Sequence, residues 1–344
     1  LELQHRLARQ MIDVAVSKAL EDMKGNTKRS IRNLIDLGML FSKSENSKRF
    51  FSAAQKVIAN PQNPYPSLAA RMISDVDNDT IKKAGLNLGY DSLVYGAQKL
   101  RKKQEDLGLT FPWLLIFDIS ETSPVMFRKL EHCIREGQEL GIYSYVICPH
   151  ERGDISAVCE IAKRFDESLF ILKGYPAFIS EQIAETIGKI HNIVVSVQVA
   201  DTDPDCATAG EAFRLLKRNR CLYGFHVCYN EDTVNRVTAP AYIHSAIGFG
   251  NLFGAYIAEN NASDAVRDAV HAFACRERGE SGQPLITLDW YRDIQDIGEQ
   301  IFSGAGQTEA PLAKRVYCEY IKARDMLTKS LLEILRGVQS CAGM

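Results

Sequence analysis

The chain has 344 residues, 46% of them hydrophobic and 24% charged, the profile of a globular protein of one or two domains with a large core. Its 41 Lys and Arg offset 43 Asp and Glu to a net charge of −2, which removes the electrostatic case for a nucleic-acid partner or an acidic membrane surface. No apolar run reaches the roughly 18 residues of a membrane span and no signal segment opens the chain, so the expectation is a cytoplasmic protein without a membrane partner.

Residues 1–110 read as a helical N-terminal region. Leu34, Ile35, Leu37, Leu40 and Phe41 form an apolar stripe behind the basic turn Lys28–Arg32. The stretch Asn60–Pro66 reads as non-helical, because each proline removes a donor and extends its predecessor. A further helix is expected over about 91–105. From 111 to 306 short runs rich in β-branched and aromatic residues take over: Trp113–Ile119, Tyr143–Cys148, Leu169–Lys173, Ile193–Gln198, Leu222–Cys228, Leu252–Ile257 and Leu285–Asp289. Helical spacing fills the gaps, as in Val125–Leu140, Ile155–Phe165 and Ser180–Ile190. Continuous apolar strands alternating with helices mean a parallel sheet buried on both faces. About six to seven βα units give an α/β fold, a partial or full TIM-like barrel, with a doubly wound open sheet as the alternative. Residues 307–344 form the C-terminal element. Pro311–Arg336 is expected as one long amphipathic helix, with Leu312, Val316, Tyr320, Leu327 and Leu335 on its stripe.

In such folds a ligand sits at the carboxyl ends of the strands. Those ends offer Asp118, then His150-Glu151-Arg152, Lys173, Gln198 and Asp289. His150 and Glu151 are candidates for acid–base work, Asp118 and Asp289 for orienting or metal-binding carboxylates, and Lys173 for an anion contact. The plainer reading of the second group is a solvated loop in which Asp154 caps the next helix. The runs Asp75/Asp77/Asp79 and Asp201/Asp203/Asp205 lack the glycine and glutamate of a calcium loop and read as caps and turns, so no metal site is assigned. The glycine-rich Gly248–Gly254 precedes a strand, which is not a phosphate cradle. His226, inside a strand, reads as core. Nine cysteines include no C-x-x-C pair, against zinc, a tight thiolate cluster or a disulfide scaffold.

Over roughly residues 25–305 the chain resembles a subgroup of the radical S-adenosylmethionine proteins. The likeness is carried by Arg29-Ser-Ile-Arg-Asn-Leu-Ile-Asp-Leu-Gly38, Asn60-Pro61 with Pro64-Tyr65, Asn87–Ala97, and Pro112-Trp113-Leu-Leu-Ile-Phe-Asp118. Downstream, Tyr143–Cys148, Val195–Gln198, Gly224–Tyr229 and Gln283–Trp290 continue it. The resemblance implies a partial barrel behind a helical front. It also implies a 4Fe–4S cluster on CxxxCxxC directly after Asp118, yet Ile119–Arg128 contains no cysteine. Where Gly-Gly-Glu-Pro should contact S-adenosylmethionine the chain has Pro149-His150-Glu151-Arg152. By position in the family, Glu151, Ser196 and Gln198 are the cofactor-binding candidates.

The leading expectation is therefore a cluster-less radical-SAM-like protein without radical activity. It would be a binding or regulatory module that pairs with itself as a homo-oligomer or with an active radical SAM relative. Two alternatives stand beside it. One is a barrel enzyme doing polar acid–base or metal chemistry at the strand ends; the other is a non-cleaving binder of S-adenosylmethionine or a similar small molecule.

Overall fold

The helical front and the strands both emerge where the hydrophobic spacing changes period. The computed structural model describes residues 2–41, 45–60, 63–120, 123–200, 207–279, 283–302 and 317–342. The front comprises α1 (Glu2–Phe41), α2 (Glu45–Ala59), α3 (Tyr65–Asp75), α4 (Asn78–Gly85), a widened π-helical stretch Leu86–Gly96, and α5 (Ala97–Leu107). Asp77 caps α4, its carboxylate accepting from the amides of Asp79 and Thr80. Pro66 lies in the first turn of α3, so the non-helical stretch is shorter than the proline count implies. A first-turn proline gives up only a donor that has no helical partner.

Each of the seven apolar runs becomes a strand within a residue or two of its expected bounds. These are β1 (Leu114–Ile119), β2 (Ser144–Pro149), β3 (Leu169–Gly174), β4 (Ile193–Gln198), β5 (Leu222–Tyr229), β6 (Phe253–Ala258) and β7 (Ile286–Asp289). Between them run α6 (Pro124–Leu140), α7 (Arg152–Arg164), α8 (Glu181–Gly188), α9 (Gly210–Arg218), α10 (Val234–Val237), α11 (Pro240–Gly248) and α12 (Asp264–Gly279), and α13 (Trp290–Phe302) follows β7 directly. An eighth strand, β8 (Cys318–Ile321), precedes α14 (Ala323–Thr328) and α15 (Leu331–Ala342). The single long helix expected over Pro311–Arg336 is thus not formed across its described part. Tyr320 sits on a strand, and two short helices follow. Residues 311–316 lie outside the described residues.

All eight strands pair in parallel in the order β7-β6-β5-β4-β3-β2-β1-β8. Among the described residues β7 and β8 do not pair with each other, so the sheet is a curled half-barrel. Its convex face carries the main core: Phe117, Tyr145 and Phe170 stack in a row across β1, β2 and β3, and all three are fully buried. Burying each such ring contributes on the order of 2–3 kcal/mol. The Tyr145 hydroxyl donates to the carbonyls of Ile134 on α6 and Ile142. Helix ends are set locally: Ser123 caps α6 with Pro124 as its first residue, and Gly141, at φ +113°, stops it.

Polar clamps fix the helical front to the amino ends of the strands. The Arg71 guanidinium on α3 donates to the carbonyls of Ile247, Asn251 and Pro284. Asn87 donates to those of Asp166 and Ser168, and Arg220 to those of Ser74 and Val76. Among the described residues no helix is long and apolar enough to cross a membrane.

Candidate functional site

Because strand side chains alternate, every second residue of the sheet points into the curl. There they meet apolar side chains of the helical front and enclose a cavity of about 730 Å³, lined from β1 to β7 by residues such as Leu114, Val146, Ile171, Ala255 and Leu288 and from α1 by Leu20 and Met23. The volume falls in the usual range of small-molecule sites.

One polar patch interrupts this lining. Lys173 of β3, Ser196 of β4 and His226 of β5 all border the cavity. Ser196 stands opposite Lys173 in the ladder, and its hydroxyl lies 3.0 Å from His226 Nδ1. His226 is 2% exposed. Burial, reinforced by the Lys173 ammonium and opposed by the Ser196 hydrogen bond, pushes its imidazole down to about 3, so the ring is neutral at physiological pH. Lys173 is half-buried, and no hydrogen bond or ion pair engages its ammonium among the described residues.

The carboxyl ends of β1 and β2 add two groups on the same concave side. Asp118 pairs with Cys148 in register and hydrogen-bonds the Tyr320 hydroxyl of β8. Burial raises the Cys148 thiol to about 11, against the pull of the Lys173 ammonium and with the Asp118 carboxylate adding to the rise. Gln198, half-buried, sits two residues beyond Ser196 on the same face.

The remaining candidates lie elsewhere. His150 and Glu151 are exposed on the loop after β2. Their amides donate to the Asp154 carboxylate at 2.9 and 2.8 Å, and Glu151 completes a capping box at the start of α7. Arg152 reaches the Ala177 carbonyl instead of Glu151. Asp289 points to the convex face, 3% exposed, where its Oδ1 accepts the Arg292 amide and its Oδ2 faces His271 Nδ1 of α12 at 3.3 Å. Burial raises its carboxyl above the ordinary range. The structure therefore brings Asp118 and Lys173 to one side of the sheet and puts Asp289 on the other, with His150 and Glu151 outside the curl. Of the family-position set, Ser196 and Gln198 face inward and Glu151 does not join them.

Asp77, Asp79 and His191 come within metal-holding distance of one another, a grouping the sequence did not single out. Asp77 spends its carboxylate as the α4 cap, and His191 Nδ1 contacts the Thr80 hydroxyl at 3.0 Å. The Asp201/Asp203/Asp205 run lies outside the described residues.

The residues after β1 do not fit a 4Fe–4S cluster. Ser120 and Ser123 offer oxygen where sulfide clusters take soft thiolates, and the Ser123 hydroxyl already caps α6; Glu121 and Thr122 lie outside the described residues. The nearest sulfurs on the sheet belong to Cys148 of β2 and Cys318 of β8, two strands apart, with Cys228 three strands beyond Cys148. Cys133, Cys159 and Cys221 are buried in the convex layer.

No protein-family profile and no curated protein matches the chain. Solved structures resemble it in part. SuiB from Streptococcus suis bound to precursor peptide SuiA is 10% identical with a TM-score of 0.48, covering 70% of this chain and 68% of that one. SuiB bound to S-adenosylmethionine is 10% identical at a TM-score of 0.46, covering 70% and 67%. The tryptophan synthase alpha chain from Legionella pneumophila subsp. pneumophila is 11% identical at 0.40, covering 71% and 94%. At these levels the likeness is one of fold alone.

Proposed function

We propose that the chain is a non-radical binding protein on a radical-SAM-like scaffold, holding inside the half-barrel a small molecule with an apolar body and one anionic group. The observation that carries this is the Lys173 ammonium, without a hydrogen-bonding or ionic partner among the described residues, at the edge of an apolar cavity of about 730 Å³. An ammonium in apolar surroundings is costly unless an anion completes it. The neutral His226 and its Ser196 partner supply further polar contacts without adding charge. The lack of cysteine in Ile119–Arg128 supports the non-radical part of the reading.

The test is calorimetric titration of the full chain with a medium-chain carboxylate such as dodecanoate and with the corresponding alcohol. The expected result is saturable binding of the carboxylate, weakened about 10- to 100-fold by Lys173→Met, as loss of a charge-assisted contact of about 1.5–3 kcal/mol requires. Equal affinity for acid and alcohol, or no effect of Lys173→Met, overturns it. Anaerobic reconstitution that produced a 4Fe–4S spectrum would overturn the non-radical part.

A second reading is a non-cleaving S-adenosylmethionine site. Ser196 and Gln198, adjacent on the inner face of β4, favour it. Heat with S-adenosylmethionine that is lost in Gln198→Ala and kept in Lys173→Met selects this alternative. A regulatory role through a homo-oligomer or an active relative is compatible with either ligand.

A further inference from the structure

We propose that Cys275 is a thiol–disulfide exchange site for low-molecular-weight disulfides, with His271 as its base and Asp289 as a positioning residue. The constellation lies on the outer side of the half-barrel, on α12 and the end of β7, away from the cavity.

Helical spacing builds its first part. His271 and Cys275 are four residues apart on α12, one above the other, with Cys275 Sγ 3.6 Å from His271 Nε2. Arg278, three residues further, donates to the same sulfur at 3.4 Å while its other nitrogen holds Asp293 of α13 at 2.6 Å. The thiol thus has an acceptor for its proton and a fixed cation for the thiolate, and it is exposed.

The second part is independent of the helix. Asp289, 3% exposed, turns its Oδ2 towards His271 Nδ1 at 3.3 Å. Neither atom has a hydrogen-bond partner among the described residues. The other cation near Oδ2, Arg292 Nε, stands off at 4.0 Å, so this buried carboxylate oxygen is best satisfied when the ring nitrogen facing it carries the proton. The other ring nitrogen, Nε2, is then the lone-pair side that faces sulfur. This nucleophile, base and orienting carboxylate are linked through the two nitrogens of one imidazole.

The step is balanced by the disulfide itself. Nε2 takes the Cys275 proton, and the thiolate attacks one sulfur of RS–SR. The S–S electron pair leaves with the second sulfur as RS⁻, and imidazolium returns the proton to give RSH. The product is a Cys275–SR mixed disulfide. Five other cysteines are poor competitors: burial raises the thiol of Cys148 to about 11 and those of Cys133, Cys159, Cys221 and Cys318 to about 12. Charged groups facing the site are His271 and Arg278 from its own helix, Asp289 from β7, and Arg292, Asp293 and Asp296 from α13.

The test exposes the full chain to glutathione disulfide and follows each cysteine by peptide-resolved mass spectrometry between pH 5.5 and 9. Cys275 is expected to react first. His271→Gln is expected to slow the reaction about tenfold at pH 7, with the thermal melt unchanged. Asp289→Asn should slow it by less, and Asp289→Glu should recover part of that loss. Because Asp289 also caps α13, Arg278→Gln serves as a second variant, with a smaller loss expected at pH 7. Modification of another cysteine ahead of Cys275, or a Cys275 rate that His271→Gln leaves unchanged, overturns the assignment.

Discussion

Acid should destabilise this protein through His226, and replacing that residue should remove the effect. The imidazole is held near 3 in the folded chain, against about 6.5 in an unfolded one. As pH falls the unfolded state binds the proton first, so this contribution to stability is fully present above about pH 6.5 and is lost progressively between there and about pH 3. At pH 5 the unfolded chain is about 1.5 pH units into its titration while the folded chain is still neutral. At about 1.4 kcal/mol per unit, the loss is about 2 kcal/mol. His226→Gln keeps a partner for the Ser196 hydroxyl and cannot titrate. The assay is urea unfolding of both chains at pH 8 and pH 5. The wild type should lose about 2 kcal/mol more than the variant between the two conditions. Identical pH dependence in wild type and His226→Gln would refute the placement of a neutral, buried ring.

Three further outcomes follow from packing at the rim and in the convex core. Gly141→Ala should cost about 2 kcal/mol or more in chemical denaturation, because φ is +113° and an added Cβ would meet the Gly96 carbonyl at 2.7 Å. Arg71→Met should lower stability by about 2 kcal/mol and speed proteolysis within α1 to α4, since three carbonyls lose their donor at once. Tyr145→Phe should cost about 1–2 kcal/mol in thermal or urea unfolding, as the Ile142 carbonyl loses its 2.6 Å hydroxyl partner in the core and the Ile134 carbonyl keeps only its helical bond.

The strands were legible because parallel strands covered on both faces read as unbroken apolar runs, as Leu-Phe-Ile-Leu in β3 does. β8 was not. Tyr317 to Leu335 carries apolar residues at spacings that suit a helix, and only pairing with Leu114–Phe117 makes Cys318–Ile321 extended. The site was half legible. Lys173 and Gln198 stand at strand ends, where ligands are expected, but which of them share a face depends on register to a single residue. That is why Asp289, at the end of β7, proved to be on the opposite face from Asp118 at the end of β1. His226 reads as core and is buried, yet its ring borders the cavity, a fact set by Ser196 and Lys173 on neighbouring strands and by no local motif. The His271–Cys275 pair went unremarked in the sequence, because four-residue spacings abound on helices and the carboxylate that completes it comes from another element.

Among the described residues β7 and β8 do not pair, and that has a mechanical consequence. A closed barrel fixes its girth through the stagger of its ladders, and widening it means breaking backbone hydrogen bonds. Here the girth is set by whatever wedges the curl open, chiefly α1, α3 and the π-helical stretch anchored by Arg71 and Asn87. Like the staves of an unhooped cask, the strands take their curvature from what they close upon, so the width of the interior depends on how the amino-terminal plug packs against them.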